Sequence, residues 1–182
     1  METSTLIVWA HPNPNGSRAG SGLLRGARDL PHVLIHELYL EYPDYAIDVR
    51  REQRLLTEHD TIVLQFPFYW YSVPPLLKKW LDDVLEEGFA YGRDGTYLHG
   101  KTLRTVVTTG GPTRSYQPEG YNRYTMAELL LPLRATAALC GMDFEEPFIV
   151  HGTRTVSDEV IESQANSYRA VLDAVRRPVG SL

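Results

Sequence analysis

Thr61-Ile62-Val63-Leu64-Gln65-Phe66 runs into Pro67-Phe68-Tyr69-Trp70-Tyr71-Ser72-Val73-Pro74-Pro75, and then into Leu76-Leu77-Lys78-Lys79-Trp80-Leu81-Asp82-Asp83-Val84-Leu85-Glu86-Glu87-Gly88. The first run is β-branched and nearly all apolar, the pattern of a strand buried on both faces. From Pro74 to Glu87 the apolar residues Leu76, Leu77, Trp80, Leu81, Val84 and Leu85 recur at a spacing of about 3.6 residues and form one stripe. Lys78, Lys79, Asp82, Asp83, Glu86 and Glu87 fill the opposite face, where Lys and Asp four apart support a solvated helix. Proline in a first helical turn removes no hydrogen bond, and Gly88 ends the helix. A doubly buried strand followed by an amphipathic helix is one unit of a parallel α/β sheet.

The same unit recurs on both sides. Leu6-Ile7-Val8-Trp9-Ala10, Val33-Leu34-Ile35 and Leu103-Arg104-Thr105-Val106-Val107-Thr108 read as strands, and Pro147-Phe148-Ile149-Val150 as a weaker one. Helical patterns run from Gly20 to Ala27 and from Val49 to Thr57. Thr125-Met126-Ala127-Glu128 has the form of a capping box, opening a short helix to Leu131; Pro132 starts another, closed by Gly141 after Cys140. Ser157, with Asp158 and Glu159 behind it, opens the last helix. The alternation predicts an α/β fold: a five-stranded parallel sheet in the order 2-1-3-4-5, with helices on both faces. No linker or repeat divides residues 1–182, so the chain is expected to be one domain.

Composition narrows the function. At 43% hydrophobic and 23% charged, the chain is neither disordered nor membrane-spanning. A net charge of −5 argues against sequence-independent nucleic-acid binding, which needs clustered Lys and Arg. Cys140 is alone, so no internal disulfide forms, and the histidines lack metal-ligand spacing. Met1-Glu2-Thr3-Ser4-Thr5 carries no basic lead, and the apolar run behind it is too short for a signal peptide, so the chain reads as cytoplasmic.

In such a sheet, ligands bind beyond the carboxyl ends of the strands where the order reverses, which nominates the loops after strands 1, 3 and 4. The first is His11-Pro12-Asn13-Pro14-Asn15-Gly16-Ser17-Arg18-Ala19-Gly20, leading into a helix whose free N–H groups make a phosphate seat. It fits neither the dinucleotide fingerprint nor the Walker loop, and a capped surface turn reads equally well. The second places Phe68, Tyr69, Trp70 and Tyr71 in a row between prolines. An irregular backbone there leaves N–H and C=O groups free for a flat heteroaromatic ring; an aromatic core plug or a dimer contact is the alternative. The third, Thr108-Thr109-Gly110-Gly111-Pro112, lets a backbone approach a ligand closely, or makes an ordinary tight turn. Tyr39, Tyr42 and Tyr45 beside strand 2 suit either intrachain cover or a second subunit.

With these stretches, together with Tyr42-Pro43-Asp44, Ile47-Asp48, Gly88-Phe89-Ala90-Tyr91-Gly92, Leu98-His99-Gly100-Lys101 and Cys140-Gly141-Met142, the chain resembles the flavodoxin-like NAD(P)H quinone oxidoreductases. Within them it is most like the bacterial ancillary proteins of glutathione-regulated potassium efflux. The likeness runs from Leu6 to about Val175.

The resemblance implies a homodimeric flavoprotein, FMN rather than FAD, with NADH or NADPH as hydride donor and a quinone or related acceptor. By this likeness His11, Ser17, Arg18, Ala19 and Gly20 hold the phosphate side of the flavin. Pro67, Phe68, Tyr69, Trp70 and Tyr71 wrap its ring, and Thr108, Thr109, Gly110 and Gly111 lie against the ring's pyrimidine surroundings, with Tyr116 beside them. Relatives often carry an Asn near the position of Gly20, and mammalian quinone reductases a Tyr and a His beyond the Gly-Gly pair; Tyr116 matches that Tyr, while Asn122 stands at the His position next to Tyr121. Tyr116 and Tyr121 are therefore the expected catalytic side chains. The expected reaction is ping-pong, with hydride passing through flavin N5 and backbone N–H groups near Gly110 and Gly111 facing the charge that develops near N1. The likeness also admits a regulatory ancillary subunit at the inner membrane on a potassium-efflux transporter, a one-electron carrier, or an azo or nitro reductase.

Overall fold

The computed structural model describes residues 4–174, so residues 1–3 and the far end of the likeness at Val175 lie outside it. Strand β1 (Thr5–Trp9) lies between β2 (Val33–Glu37) and β3 (Thr61–Pro67), and β3 pairs with β4 (Thr102–Thr108), all parallel. Side chains alternate between two buried faces, as a strand covered on both sides requires. Leu6, Val8, Leu64 and Phe66 point to one face; Ile7, Trp9, Val63 and Val106 point to the other. The second face is covered by α1 (Arg18–Ala27) and α7 (Asp158–Ala174), packed on each other. The first is covered by α2 (Leu38–Glu41), α3 (Val49–Glu58), α4 (Pro75–Val84), α5 (Met126–Leu129) and α6 (Leu131–Leu139).

The expected order 2-1-3-4-5 is the observed one, with one strand more than expected. Beyond β4 the chain makes two short pieces, β5 (Asp143–Phe144) and β6 (Phe148–Val150), both parallel to β4. The break falls at Glu145, Glu146 and Pro147. Pro147 has no N–H to offer the ladder, and Arg104 of β4 draws the Glu146 carbonyl (3.0 Å) and the Glu145 carboxylate (3.1 Å) to itself.

Helix α4 buries the expected stripe of Leu76, Leu77, Trp80 and Val84, but it stops at Val84 rather than Glu87. Gln53 of α3 donates from Nε2 to the Val84 carbonyl (3.1 Å) and to the Glu86 carboxylate (2.9 Å), tying down that end. Lys78–Asp82 and Lys79–Asp83 form the expected four-apart pairs. The capping box at Thr125 and Glu128 is present. Gly141, at φ +68, closes α6: its N–H donates to Ala138 O and that of Met142 to Ala137 O, the bond pattern of a Schellman cap.

A buried polar cluster fastens the first face. Glu52 of α3 is fully buried; it accepts from the Tyr42 hydroxyl (2.5 Å) and from Trp80 Nε1 (2.7 Å), and His36 Nε2 lies 2.9 Å away. Burial works against the charged form of Glu52, but His36 and the two donors outweigh it and hold the carboxyl below its usual range. Burial and the neighbouring carboxylate push the Tyr42 hydroxyl up to about 12. Tyr42 thus covers this chain's own core, and the Tyr39 hydroxyl accepts from the N–H of Leu76 (3.2 Å) at the start of α4.

Candidate functional site

The carboxyl ends of β1, β3 and β4 open into a groove of about 510 Å³, within the roughly 300–1,000 Å³ common for small-molecule sites. A groove of about 530 Å³ between α3 and residues 86–97 lies at the other edge of the sheet, where α3 feeds β3. The strand order favours the carboxyl edge.

The first wall is the loop after β1. The N–H of Asn13 donates to His11 Nδ1 (3.1 Å), which leaves the ring proton on Nε2. Burial lowers the His11 pKa, so this neutral form dominates at neutral pH. Asn13 Oδ1 accepts from the N–H of Gly16 (3.1 Å) and shapes the turn. Ser17 precedes α1 and is buried, yet its hydroxyl makes no capping bond. The first-turn N–H groups of α1 have no intrahelical partner by construction. Gly20 is required by space: a Cβ there would stand 2.4 Å from Ser17 Oγ and 3.4 Å from Trp9 Nε1. Gln65 Nε2 donates to Gly20 O (3.0 Å) and fixes the helix start to β3, while Gln65 Oε1 is buried without a partner.

The second wall follows β3. The N–H of Phe68 donates to Thr108 O (2.9 Å), and Tyr69 and Ser72 exchange backbone hydrogen bonds of 3.1 and 2.9 Å. The aromatic stretch is therefore a two-residue turn between paired residues. Trp70 (φ 48) and Tyr71 (φ 61) both occupy the left-handed region, where such turns favour Asn and Gly. Tyr69 meets the His11 ring edge-on, with centroids 6.5 Å apart.

The third wall is the loop after β4, and a fourth, from β6, is zipped onto it. Thr109 N–H donates to Val150 O (2.9 Å), Gly152 N–H to Gly111 O (2.8 Å) and Thr153 N–H to Thr109 O (3.0 Å). The Thr109 hydroxyl donates to Gly111 O (2.9 Å) and so accepts from His151 Nδ1 at 2.9 Å. Burial lowers the His151 pKa, which leaves a neutral ring with Nε2 bare. Arg154 lies across Gly110, where a Cβ would come within 2.9 Å of its Nε.

Of the expected cofactor residues, His11, Ser17, Ala19, Gly20, Pro67, Phe68, Tyr69, Thr108 and Gly110 all line this groove. Arg18 lines it too, but its guanidinium pairs with Asp158 (3.1 Å) and donates to Val156 O, both on the approach to α7. Thr109 is buried behind the wall, and Gly111 sits beside it. Tyr116 is buried on the far side of Gly111, its ring 5.2 Å from that of His151. Trp70 is 93% exposed and Tyr121 90% exposed, and neither lines the groove. Tyr71 turns to an apolar cleft between α4 and α6, with its hydroxyl donating to Asn122 Oδ1 (3.1 Å).

Asn13, Gly16, Thr153 and Arg154 join the groove without having been singled out. The first two lie inside the quoted loop. Thr153 and Arg154 follow the strand beside β4, so the position of that strand was the signal: its carboxyl end faces the same edge.

A family model described as flavodoxin-like fold matches residues 3–172. The glutathione-regulated potassium-efflux system ancillary protein KefG of Pectobacterium carotovorum subsp. carotovorum (strain PC1) is 50% identical over 163 residues, covering 90% of this chain and 89% of that protein. General stress protein 14 of Treponema denticola, solved in complex with FMN, superposes with a TM-score of 0.91 at 40% identity, over 94% of this chain and 99% of that one. An NADPH-quinone reductase of P. pentosaceus superposes with a TM-score of 0.86 at 31% identity, over 98% of this chain and all (100%) of that one.

Proposed function

The chain belongs to the flavodoxin-like fold family, and from that premise we propose that it is an FMN-dependent NAD(P)H:quinone oxidoreductase, one flavin-binding domain that works as a homodimer. One observation carries the reading. At the switch point of the sheet, one groove is lined both by the first turn of α1, with its free N–H groups, and by the aromatic and glycine residues of the β3 and β4 loops. The donor set fits FMN. The unused Ser17 hydroxyl and the first N–H groups of α1 suit a phosphate, and Gly20 keeps that seat open. Pro67, Phe68 and Tyr69 stand beside Thr108 and Gly110 as one continuous wall on which a planar ring can lie. The FMN-bound and NADPH-quinone reductase relatives support the cofactor and the donor.

Bound FMN supplies two-electron hydride chemistry at N5; the protein positions and tunes it. His11 Nε2–H is a neutral donor at the phosphate side. The backbone around Gly110 offers dipoles where negative charge develops on the ring. Tyr116, buried against Gly111, is the side chain proposed to hydrogen-bond the acceptor oxygen, and Tyr121, 90% exposed in the single chain, could serve only from outside the groove lining. Donor and acceptor would use the groove in turn, so steady-state kinetics should be ping-pong. The first test is the absorption spectrum of the purified protein, followed by acid release and chromatography of the cofactor. A folded, colourless protein that refuses added FMN overturns the reading.

A second reading rests on the 50% identity to a potassium-efflux ancillary protein. Among the described residues no helix is long and apolar enough to cross a membrane, so a membrane role would run through docking on a transporter from the cytoplasm. Capture of such a transporter by wild type and by a flavin-free Gly20 variant separates docking from turnover. Azo and nitro compounds are competing acceptors, to be ranked by relative rates against a quinone.

A further inference from the structure

Three titratable cationic or imidazole groups line the groove, and two are already committed. Arg18 is paired with Asp158 and bonded to Val156 O. His11 is held neutral, with Nδ1 occupied by the Asn13 N–H. Arg154 remains: among the described residues it has no ion pair, and no carboxylate lines the groove.

Its place is fixed by the fold. The loop that carries it is bonded to the β4 loop through Gly152 and Thr153. A further bond runs from the Thr153 hydroxyl to Thr109 O (3.1 Å), and Arg18 holds the same loop from the α1 side through Val156 O. The Arg154 side chain lies over Gly110: a Cβ there would meet its Nε at 2.9 Å and push the guanidinium aside. Gly110 lies two residues beyond the end of β4, and β4 stands two strands from β1, or about 10 Å at about 4.8 Å per strand. A guanidinium lying over Gly110 therefore meets the groove from the β4 side.

We propose that Arg154, carried on a loop tied to the β4 loop and to Arg18, is a flavin-facing cation that stabilises the negative charge gained by the ring on reduction. This inference rests on the FMN reading above. A charge that appears only in the reduced cofactor is favoured selectively by a nearby cation, and the reduced form is then bound more tightly than the oxidised one.

The test compares wild type, Arg154→Met, Arg154→Lys and Gly110→Ala by the midpoint potential of bound FMN and by the affinities for oxidised FMN and riboflavin. Arg154→Met should weaken binding of reduced FMN about tenfold relative to oxidised FMN, a fall of about 30 mV for a two-electron couple. Arg154→Lys should recover part of it. Gly110→Ala, which displaces the flexible guanidinium, should lower the potential in the wild-type background and add nothing to Arg154→Met. The preference for FMN over riboflavin should be unchanged in every variant. An unchanged potential overturns the proposal, as does a collapse of the FMN-to-riboflavin preference, which would make Arg154 a phosphate ligand. Wild type that binds no FMN instead overturns the reading beneath it. Arg154 is exposed, so loss of the fold is not expected; Gly110→Ala decides the matter should Arg154→Met fail to fold.

Discussion

Trp70→Asn should make the protein more stable. Trp70 sits at φ 48 in a two-residue turn, next to Tyr71 at φ 61. A residue with a Cβ pays about 1–2 kcal/mol in the left-handed region, whereas Asn adopts it readily. The indole is 93% exposed, so its removal forfeits almost no burial. The net gain is about 1 kcal/mol, or about 2–4 °C in Tm for a chain of this size. Strain of this kind persists where a site needs it, so the same substitution should slow turnover of a quinone by the FMN-loaded protein. Thermal unfolding of the flavin-free protein at several concentrations, followed by steady-state rates, checks both. A Tm that falls independently of concentration refutes the strain argument. A fall that deepens on dilution would show that a second copy of the chain buries the indole.

Glu52→Ala should destabilise the fold by about 3–5 kcal/mol, the usual effect of stripping one partner from a buried charged cluster, because it strands the Tyr42 hydroxyl and the Trp80 N–H; chemical denaturation measures it, and FMN affinity should change little. The folded Glu52 carboxyl lies below its ordinary value of 4.5, so its contribution is complete above that pH and disappears as pH falls through the lower folded value; the acid limb of a stability profile should be shallower in Glu52→Gln. Gly20→Ala should weaken FMN binding at least tenfold while leaving the fold intact, since the added Cβ would stand 2.4 Å from Ser17 Oγ; equilibrium titration with FMN reads it. Tyr116→Phe should lower quinone turnover without changing FMN affinity, and an unchanged rate removes its hydroxyl from the proton path.

The strand order and the three loops were legible because both follow from local pattern. Doubly buried runs at 6–10, 61–66 and 103–108 define parallel strands, and the order 2-1-3-4-5 then names the loops that share an edge. Side-chain direction was not legible. Arg18 reads as a charge for the phosphate, but its long stem reaches Asp158 instead, a contact set by how α7 packs on α1. The aromatic row reads as one wrapping surface, yet a two-residue turn sends Tyr69 into the groove, Tyr71 to the α4–α6 cleft and Trp70 into solvent. Glu52 on a charged helix gave no sign of burial; only His36, Tyr42 and Trp80, brought from three other segments, make it so.

The polar cluster around Glu52 and the polar groups at the carboxyl edge of the sheet differ in a way that bears on function. Around Glu52 both carboxylate oxygens are taken, which suits a fastening between β2, α3 and α4. At the carboxyl edge the capacity is left open: the buried Ser17 hydroxyl caps nothing, the α1 N–H groups face the groove, Gln65 Oε1 has no partner and Arg154 has no carboxylate among the described residues. Of these, Gln65 Oε1 is buried without a partner, which costs about 1–3 kcal/mol, and the others open onto the groove. A fold with no ligand to bind could close this rim with a capping bond at Ser17 or a side chain in place of Gly20. Their absence at one rim, together with the strained Trp70–Tyr71 turn beside it, is the pattern expected when an anionic, flat ligand completes the structure.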